Sequence, residues 1–154
     1  MKAKLKAVSL LVAALVNITI LPKTDAAFRG NLSVRVDGLK NKKGQVCLNI
    51  FAASKGFPNN SQRAVKAGCI KASKNPTIVT FSSLKAGNYA VAVIHDENGD
   101  NNLNRNAFSI PTEGFGFSNN PIIRTGPPKF NESAILVAGS NINIKVNLQY
   151  LFGN

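Results

Sequence analysis

The chain of 154 residues has a single histidine, His95, and this scarcity argues against several kinds of chemistry. Zinc sites use three or four His, Cys or carboxylate ligands, so a zinc centre is not expected. The sequence also has no Gly-x-Ser-x-Gly segment, which marks the nucleophilic serine of many hydrolases. His95 stands beside Asp96 and Glu97, but a base without a paired nucleophile is weak evidence for catalysis. The sequence therefore favours a protein that is not an enzyme, with a small secreted hydrolase that uses His95 as an alternative.

Acidic residues are also scarce. The chain has 19 Lys and Arg against 7 Asp and Glu, which gives a formal net charge of +12. Strongly basic proteins attract nucleic acid, anionic lipid or acidic polysaccharide. Here the basic residues are scattered, and no stripe of aromatic residues accompanies them for base stacking. Nucleic acid is therefore not an expected partner, and we expect the charge to serve solvation and weak attraction to acidic polymers of the cell envelope.

The first residues have the pattern of an export signal. Three lysines open the chain, an apolar run follows from Ala7 to Leu21, and small residues lead to Ala26. The apolar run is shorter than the roughly 20 residues that a membrane-spanning helix needs, and no later segment is long and apolar enough. We predict a signal peptide over residues 1–26 and a single domain over residues 27–154, exported to the periplasm or secreted.

The chain has only two cysteines, Cys47 and Cys69. In an oxidising compartment an even number of cysteines favours a disulfide. Such a bond would close a loop of about 20 residues and stabilise the fold by about 3 kcal/mol in the chain-entropy model. The alternative is a pair of buried free thiols on separate strands.

Helical periodicity is nearly absent from the domain, and apolar residues alternate with the period of two that is typical of strands. One short helix, capped by Asn60 and ended by Gly68, is the exception. The predicted strands cover residues 32–36, 45–52, 69–72, 77–81, 88–95, 133–138 and 141–150. The last two should form a hairpin around Gly139 and Ser140. About seven strands separated by turns predict an all-β fold, a Greek-key β-sandwich.

One strand and one tyrosine carry further signals for a sandwich. Both faces of the strand over residues 88–95 are apolar, which predicts a central strand covered on both sides. The preceding segment from Leu84 to Tyr89 has the Leu-x-x-Gly-x-Tyr pattern of a tyrosine corner. There, Tyr89 follows Gly87 and should donate its hydroxyl to upstream backbone. We therefore expect both residues to be structural.

A long loop without a convincing strand extends from residue 96 to residue 132. A loop of this length in a small domain is usually functional or supported by an ion. Its apolar residues, including Phe115 and Phe117, predict that it is ordered and packs over a sheet. The first part, residues 96–113, is called the polar loop below. It also contains most of the acidic residues of the domain: Asp96, Glu97, Asp100 and Glu113.

The polar loop begins like a calcium-binding loop. Oxygen-bearing side chains stand at every second position, at Asp96, Asn98, Asp100, Asn102 and Asn104. Alternate residues of a loop that encloses calcium turn inward in this way. The Glu that normally closes such a loop is replaced by Ala107, and the nearest substitute is Glu113. Calcium is therefore the one cofactor that the sequence suggests. The alternative is a turn in which Asn and Asp side chains bond the local backbone.

Three segments together resemble a known family. They are Gly87–Asn98, which contains the HDEN motif, Ile110–Asn119, which contains PTEGFGFSNN, and Gly126–Phe130. The combination resembles the exported bacterial domain of unknown function 2141. The resemblance implies a secreted or envelope-associated immunoglobulin-like sandwich, related in style to transthyretin-like modules, and implies no activity. Relatives commonly carry Asp where this chain has Asn104, which removes one anionic ligand from the candidate calcium site.

Three functions follow from these observations. The first is a noncatalytic envelope module whose polar loop recognises a glycan, a peptide or another protein. Besides the candidate calcium ligands, its predicted binding residues are His95, Glu97, Asn104, Ser118 and Asn119. The second is a purely structural or adhesive exported protein, and the third is the hydrolase that uses His95.

Overall fold

The computed structural model describes residues 28–152, so the predicted signal peptide lies outside the described residues. Within this part the chain is all-β, as predicted. Eight strands are present: β1 Arg29–Asp37, β2 Gln45–Phe51, β3 Lys66–Lys71, β4 Thr77–Lys85, β5 Gly87–Asp96, β6 Gly114–Phe117, β7 Ala134–Val137 and β8 Asn141–Asn147. They are accompanied by one turn of 3-10 helix, Ser61–Arg63, and one short helix, α1 Phe130–Ser133.

The strands form two sheets that enclose one main core. The first sheet has the order β4-β1-β8, in which β1 pairs antiparallel with β4 and parallel with β8. The second sheet has the order β3-β2-β5-β6, and β7 also pairs with β5, next to the start of that strand. Fully buried side chains from both sheets fill the space between them, among them Val34, Leu48, Val91 and Val146.

The predicted hairpin of the last two strands is wrong. β7 pairs with β5 of the second sheet, whereas β8 pairs with β1 of the first sheet. The short link between them crosses from one sheet to the other, where the carbonyl of Ser140 accepts a hydrogen bond from the amide of Asn31 at 2.8 Å. Val137 and Val146 both reach the core, which they can do from opposite layers.

The predicted short helix is reduced to one turn. Asn60 does cap it, since its Oδ1 accepts a hydrogen bond from the amide of Gln62 at 3.1 Å. The chain then enters β3 at Lys66, earlier than predicted, because β2 offers an edge with which six residues pair. Cys47 lies opposite Cys69 in this pairing, and their sulfur atoms are joined at 2.02 Å. The predicted disulfide is thus confirmed.

The long loop contains a strand that the sequence analysis missed. β6 pairs antiparallel with β5, opposite residues Ala92 to His95. Its Gly-Phe-Gly-Phe sequence alternates small and large residues, but glycine is uncommon inside strands, and four residues give a weak pattern. A Cβ atom at Gly114 would lie 2.5 Å from the Tyr150 ring, and one at Gly116 would lie 2.7 Å from a methyl carbon of Val146. The glycines let the strand approach these side chains.

The outer face of the second sheet is also covered, as the apolar pattern of β5 predicted. A second buried cluster contains Phe51, Ala92, Phe115 and Phe117. Phe57 packs against it edge-on, with ring centroids 5.4 Å from Phe51 and 5.9 Å from Phe117. Phe115 and Phe117 are therefore anchors that tie the long loop to the sheet.

Replacing Gly114 with alanine should destabilise the domain by about 1–3 kcal/mol, the usual cost of overpacking. The added methyl group would strike the Tyr150 ring, which its hydrogen bonds hold in place. Urea unfolding monitored by circular dichroism would measure the change. The matched control is Gly87→Ala, because a Cβ there meets only an ordinary contact at 3.8 Å from Tyr89. Equal stability of the two variants would contradict the close approach at Gly114.

Candidate functional site

The only histidine is buried and fully occupied. His95 is 0% exposed at the end of β5. Its Nε2 lies 2.9 Å from the carbonyl oxygen of Lys43, and its Nδ1 lies 2.7 Å from the hydroxyl of Tyr150. A carbonyl oxygen only accepts, so Nε2 carries a proton and donates it to Lys43, which leaves Nδ1 able to accept from the Tyr150 hydroxyl. The Tyr150 oxygen in turn accepts from the amide of Lys40 at 3.1 Å. Both ring nitrogens are thus used within the fold.

The environment of Tyr150 keeps its hydroxyl protonated. Burial raises the pKa of Tyr150 above its ordinary value, and the nearby negative charge of Glu97 acts in the same direction. The hydrogen bond from the Lys40 amide acts in the opposite direction but does not outweigh burial. A protonated phenol can donate its hydrogen to Nδ1 of His95. The pair therefore holds the chain after β8 against the end of β5.

The carboxylate of Asp96 organises the start of the polar loop. Asp96 is 0% exposed. Its Oδ1 accepts hydrogen bonds from the amides of Gly99 at 2.7 Å and Asp100 at 3.2 Å. Its Oδ2 accepts from the amide of Asn101 and from the side chain of Gln45, both at 2.8 Å. A carboxylate has about four lone-pair positions, so these four donors fill them.

Glu113 closes the other end of the polar loop. Its side chain folds back into the loop and is 6% exposed. Its Oε1 accepts from the amide of Glu97 at 2.9 Å, and its Oε2 accepts from the amide of Asn104 at 3.0 Å. Glu97 itself accepts a hydrogen bond from the side chain of Asn41 at 2.9 Å. Glu113 thus joins the first and middle parts of the polar loop through backbone amides.

The exposed part of the polar loop is held by Asp100. Its Oδ1 accepts from the amide of Asn102 at 2.8 Å. Its Oδ2 accepts from the side-chain nitrogens of Asn98 at 3.1 Å and Asn104 at 3.0 Å. The side-chain oxygen of Asn98 accepts from the amide of Asp100 in return. This arrangement is the turn in which Asn and Asp bond the local backbone.

These bonds bear on the calcium prediction. Calcium takes six to eight oxygen ligands, roughly 2.3–2.6 Å away. The oxygens of Asp96 and Glu113 instead face backbone amides. Within residues 28–152, no group of three or more His, Cys, Asp or Glu side chains is placed to hold a metal ion. The described geometry does not fit calcium without a rearrangement of the polar loop, and calcium binding stays an untested prediction.

Ser118 and Asn119 make internal contacts after β6. Ser118 is fully buried, accepts a hydrogen bond from the amide of Val91 at 2.9 Å and donates one to the carbonyl of Ser133. The side chain of Asn119 donates to the carbonyl of Ala134 at 2.8 Å. Both residues connect the turn after β6 to neighbouring elements, Ser118 to β5 and α1 and Asn119 to β7.

Asn120 has a similar role that the sequence analysis missed. Its side chain donates to the carbonyl of Lys145 at 2.9 Å and accepts from the amide of Asn147 at 2.7 Å, both in β8. Asn119 and Asn120 both have positive φ angles, of 62° and 47°. Consecutive asparagines after a strand are a signal for such a turn, because Asn tolerates this conformation. The two side chains attach one turn to both sheets.

A concave feature lies over the outer face of the second sheet. This groove has a volume of about 750 Å³, and β5 and β6 form its floor with Ala92, Ile94, Phe115 and Phe117. The polar loop forms one wall with Leu103, Arg105, Ile110 and Pro111. A second wall comes from Ile123, Arg124 and Pro127, and Asn49, Pro58, Asn59, Ser61 and Leu151 are also among the lining residues. Among the predicted site residues, only Asn102 lines it.

The groove is positively charged. Its lining contains Arg105 and Arg124 and no Asp, Glu, His or Cys. Arg105 is positioned by a hydrogen bond from its Nη1 to the carbonyl of Ser109 at 2.9 Å. The ion pairs formed among residues 28–152 both involve Asp37, so neither groove arginine has a carboxylate partner there. The groove thus combines an aromatic floor with two uncompensated cations.

A family model described as an uncharacterized protein conserved in bacteria, DUF2141, matches residues 34–145. This match covers more than half of the chain. The chain belongs to the DUF2141 family. The resemblance seen in the HDEN and PTEGFGFSNN motifs is therefore confirmed. No curated protein and no solved structure matches the chain.

The matched region of this DUF2141 member contains the whole polar loop and both walls of the groove. The residues of the PTEGFGFSNN motif have separate tasks: Glu113 bonds the polar loop, Phe115 and Phe117 form the floor, and Ser118 and Asn119 attach the turn. Across residues 28–152, no helix is long and apolar enough to cross a membrane.

Replacing Tyr150 with phenylalanine should lower the free energy of unfolding by about 1–3 kcal/mol. The change leaves the buried Nδ1 of His95 and the amide of Lys40 without their partner. Chemical unfolding would measure the loss. The control is Tyr89→Phe, which removes one hydrogen bond, from the Tyr89 hydroxyl to the carbonyl of Lys85, and should cost about 1 kcal/mol. A Tyr150 variant as stable as the parent would contradict the structural role of His95.

Stability should fall at low pH in a manner that depends on Asp96. Burial raises the pKa of Asp96, but hydrogen bonds from Gln45 and from the amides of Asn101, Gly99 and Asp100 outweigh it and hold the pKa below its ordinary value of 3.8. A carboxyl group with a lowered folded-state pKa stabilises the fold above the ordinary pKa, and this contribution is lost as the pH falls through the folded-state value.

Asp96→Asn should therefore cost about 1–3 kcal/mol at neutral pH and flatten the acid side of the stability curve below about pH 4. Urea unfolding at several pH values would measure both effects. The matched control is Asp100→Asn, whose carboxylate is exposed and screened by water, so its effect should be smaller. An unchanged acid profile in the Asp96 variant would show that the four hydrogen bonds do not control the loop.

Proposed function

We propose that the mature chain is an exported, noncatalytic recognition module that binds its ligand in the groove. One observation carries this proposal: a loop that is held by internal hydrogen bonds forms a wall of a concave surface whose floor is aromatic. Ligand sites are usually concave, mostly apolar and lined by a few placed polar groups. The partners expected from the sequence, an envelope glycan, a peptide or another protein, are candidates for this groove.

The rigidity of the polar loop supports recognition. Asp96 and Glu113 together accept six hydrogen bonds, and five of the donors are backbone amides of the loop itself. A wall that is ordered before binding does not lose conformational entropy when a ligand arrives. Leu103, Arg105 and Ile110 are therefore presented in a fixed arrangement. Glu97 and Asn104, which were predicted to bind a ligand, also donate their backbone amides to Glu113 within this loop.

Export is supported by the disulfide as well as by the predicted signal peptide. Disulfides persist in the periplasm and outside the cell and are rare in the reducing cytosol. The bond between Cys47 and Cys69 joins β2 to β3 and lies beside the polar loop, with Asn101 Oδ1 3.5 Å from the sulfur of Cys69. We propose a periplasmic or secreted location on these grounds.

A noncatalytic role is supported by the composition of the groove. Its lining has no side chain that is an ordinary general base or an activated nucleophile. His95 lies outside the lining and has both nitrogens in use. The hydrolase alternative would require His95 to break these bonds and reach a substrate.

We also propose that the two sheets are connected as an immunoglobulin-like Greek key. The hydroxyl of Tyr89 donates to the carbonyl of Lys85 at 2.8 Å, which is the contact made in a tyrosine corner. Tyr89 is buried between the sheets as that corner requires.

A purely structural or adhesive role is the second candidate. It is favoured by the number of polar side chains that bond only within the fold, notably Asp96, Glu113, Ser118 and Asn119. In this case the polar loop would be a cover for the outer face of the second sheet. The two functions differ in whether the groove binds a soluble ligand.

The recognition proposal is tested by nuclear magnetic resonance of the mature, oxidised, nitrogen-labelled protein. Adding size-fractionated oligosaccharides and peptides from bacterial envelopes should shift amide signals in residues 102–111 and 123–127. Signals of β4, on the other sheet, should not move. Ile110→Asp should abolish the shifts by placing a charge on the groove wall, whereas Ile78→Asp, at an exposed isoleucine outside the lining, should not.

Shifts confined to other surfaces, or shifts that survive Ile110→Asp, would count against the groove and favour the structural role. The same titration in EDTA and in millimolar calcium decides the role of the ion. Calcium-dependent signals at residues 96–104 that vanish in Asp96→Asn would establish an ion-supported loop. Identical spectra in the two conditions would leave the hydrogen bonds as the sole support.

A further inference from the structure

We propose that the ligand of the groove is an anionic amphiphile, a free molecule with one alkyl or acyl chain and one negatively charged head group. This inference rests on the proposed function, because it names the ligand class of the same groove. Two independent properties of the lining carry it. The first is exposed apolar surface inside a concave site, and the second is positive charge without compensation.

Part of the apolar lining of the groove is exposed to solvent. Phe115 and Phe117 close the bottom of the groove and are nearly buried, at 5% and 7% exposed. Above them, Ile110 is 36% exposed and Leu151 is 50% exposed, although both line the groove. Covering such side chains with an alkyl chain is favourable by about 25 cal/mol for each Å² removed from water.

The segments that contribute the two walls also have exposed hydrophobic side chains outside the lining. Phe108 is 83% exposed on the polar loop, and Ile122 is 81% exposed just before the second wall. They are the two most exposed large hydrophobic residues among those described. Each is close in sequence to lining residues, Ser109 and Ile110 on one side and Ile123 on the other. The segments that line the groove therefore carry exposed apolar side chains in addition to those of the lining.

The charge of the lining selects an anionic head group. Arg105 and Arg124 both line the groove, and its lining has no acidic residue. Arg105 uses one nitrogen for the carbonyl of Ser109, which orients the guanidinium and leaves its other donors available. Arginine presents several N–H groups in a planar fork that matches carboxylate and phosphate oxygens. A cationic amphiphile would meet repulsion from the same two residues.

A peptide cannot bind to the floor of the groove by adding a strand beside Phe115 of β6. The amide and carbonyl of Phe115 are both bonded to Gln149, at 3.0 Å and 2.8 Å, so the edge of β6 is occupied at this residue. Peptides that bind by extending a sheet need a free edge. The groove instead offers side chains and two guanidinium groups, which suit a chain with a charged end.

Isothermal titration calorimetry with dodecanoate, kept below its micelle concentration, tests this inference on the mature oxidised protein. The matched probe is dodecyltrimethylammonium, which has the same chain and the opposite charge. Dodecanoate should bind at least about tenfold more tightly, which corresponds to one good charge-assisted interaction. Dodecyl maltoside, a neutral amphiphile, should fall between the two.

Variants of the lining residues test which side chains bind the charged head group and which bind the apolar chain. Arg105→Gln combined with Arg124→Gln should remove most of the preference for dodecanoate over the cationic probe. The control is Lys74→Gln combined with Lys85→Gln, which removes the same charge from exposed positions outside the groove lining and should keep that preference. Ile110→Asp should abolish binding of all three probes, whereas Ile78→Asp should not. Circular dichroism spectra identical to that of the parent would show that each variant is folded.

Equal affinity for the two charged probes, or a preference that survives the double arginine change, would overturn the inference. If all three probes bind equally and Ile110→Asp abolishes that binding, the anionic ligand is overturned, but the groove remains a recognition site. Failure of every amphiphile to bind, with groove shifts caused by oligosaccharides or peptides, would overturn the amphiphile as the ligand class and leave the groove as a recognition site for another ligand. Association with anionic phospholipid vesicles but not with monomeric dodecanoate would identify a membrane-docking surface and also overturn it.

Discussion

A carboxylate that is buried in a small β-sandwich must receive hydrogen bonds, because an unpaired charge in the interior costs several kcal/mol. Asp96 meets this requirement with four donors, three of them successive backbone amides of the polar loop. The direction of the chain after β5 is fixed by those amides. Glu113 likewise accepts hydrogen bonds from backbone amides of the polar loop, at the point where the loop returns to β6. The wall of the groove between these two residues depends on both carboxylates.

On its other side, the end of β5 is held by a hydrogen bond and by packing. His95 and Tyr150 share a hydrogen bond, and Gly114 leaves room for the Tyr150 ring beside β6. The bridge between Phe115 and Gln149 then connects the chain after β8 to the second sheet. The glycines of β6 face Tyr150 and Val146 on the inner side, so its phenylalanines, at alternate positions, face outward and form the floor of the groove. The aromatic floor and the polar wall therefore originate from one region, the end of β5.

Several features could be predicted from the residues alone. The alternating patterns located most of the strands, and the two apolar faces of β5 indicated its central position. The even number of cysteines favoured the disulfide that joins Cys47 to Cys69. Other features could not be predicted. β6 has only four residues, two of them glycine, and β7 and β8 lie next to each other in sequence but in different sheets. Alternation reports which faces of a strand are buried and does not report its neighbour.

The sequence by itself determined that the domain is all-β and that the acidic residues gather in one polar loop. It also carried the motifs that resemble the DUF2141 family. Only the tertiary structure decided what those polar residues do, because a carboxylate accepts hydrogen bonds from the donors that the folded backbone brings within reach. The same holds for the groove, whose lining comes from segments that are far apart in the chain, around Asn59, Arg105, Phe115 and Arg124. Their convergence depends on how the long loop packs on the sheet, and no local pattern encodes it.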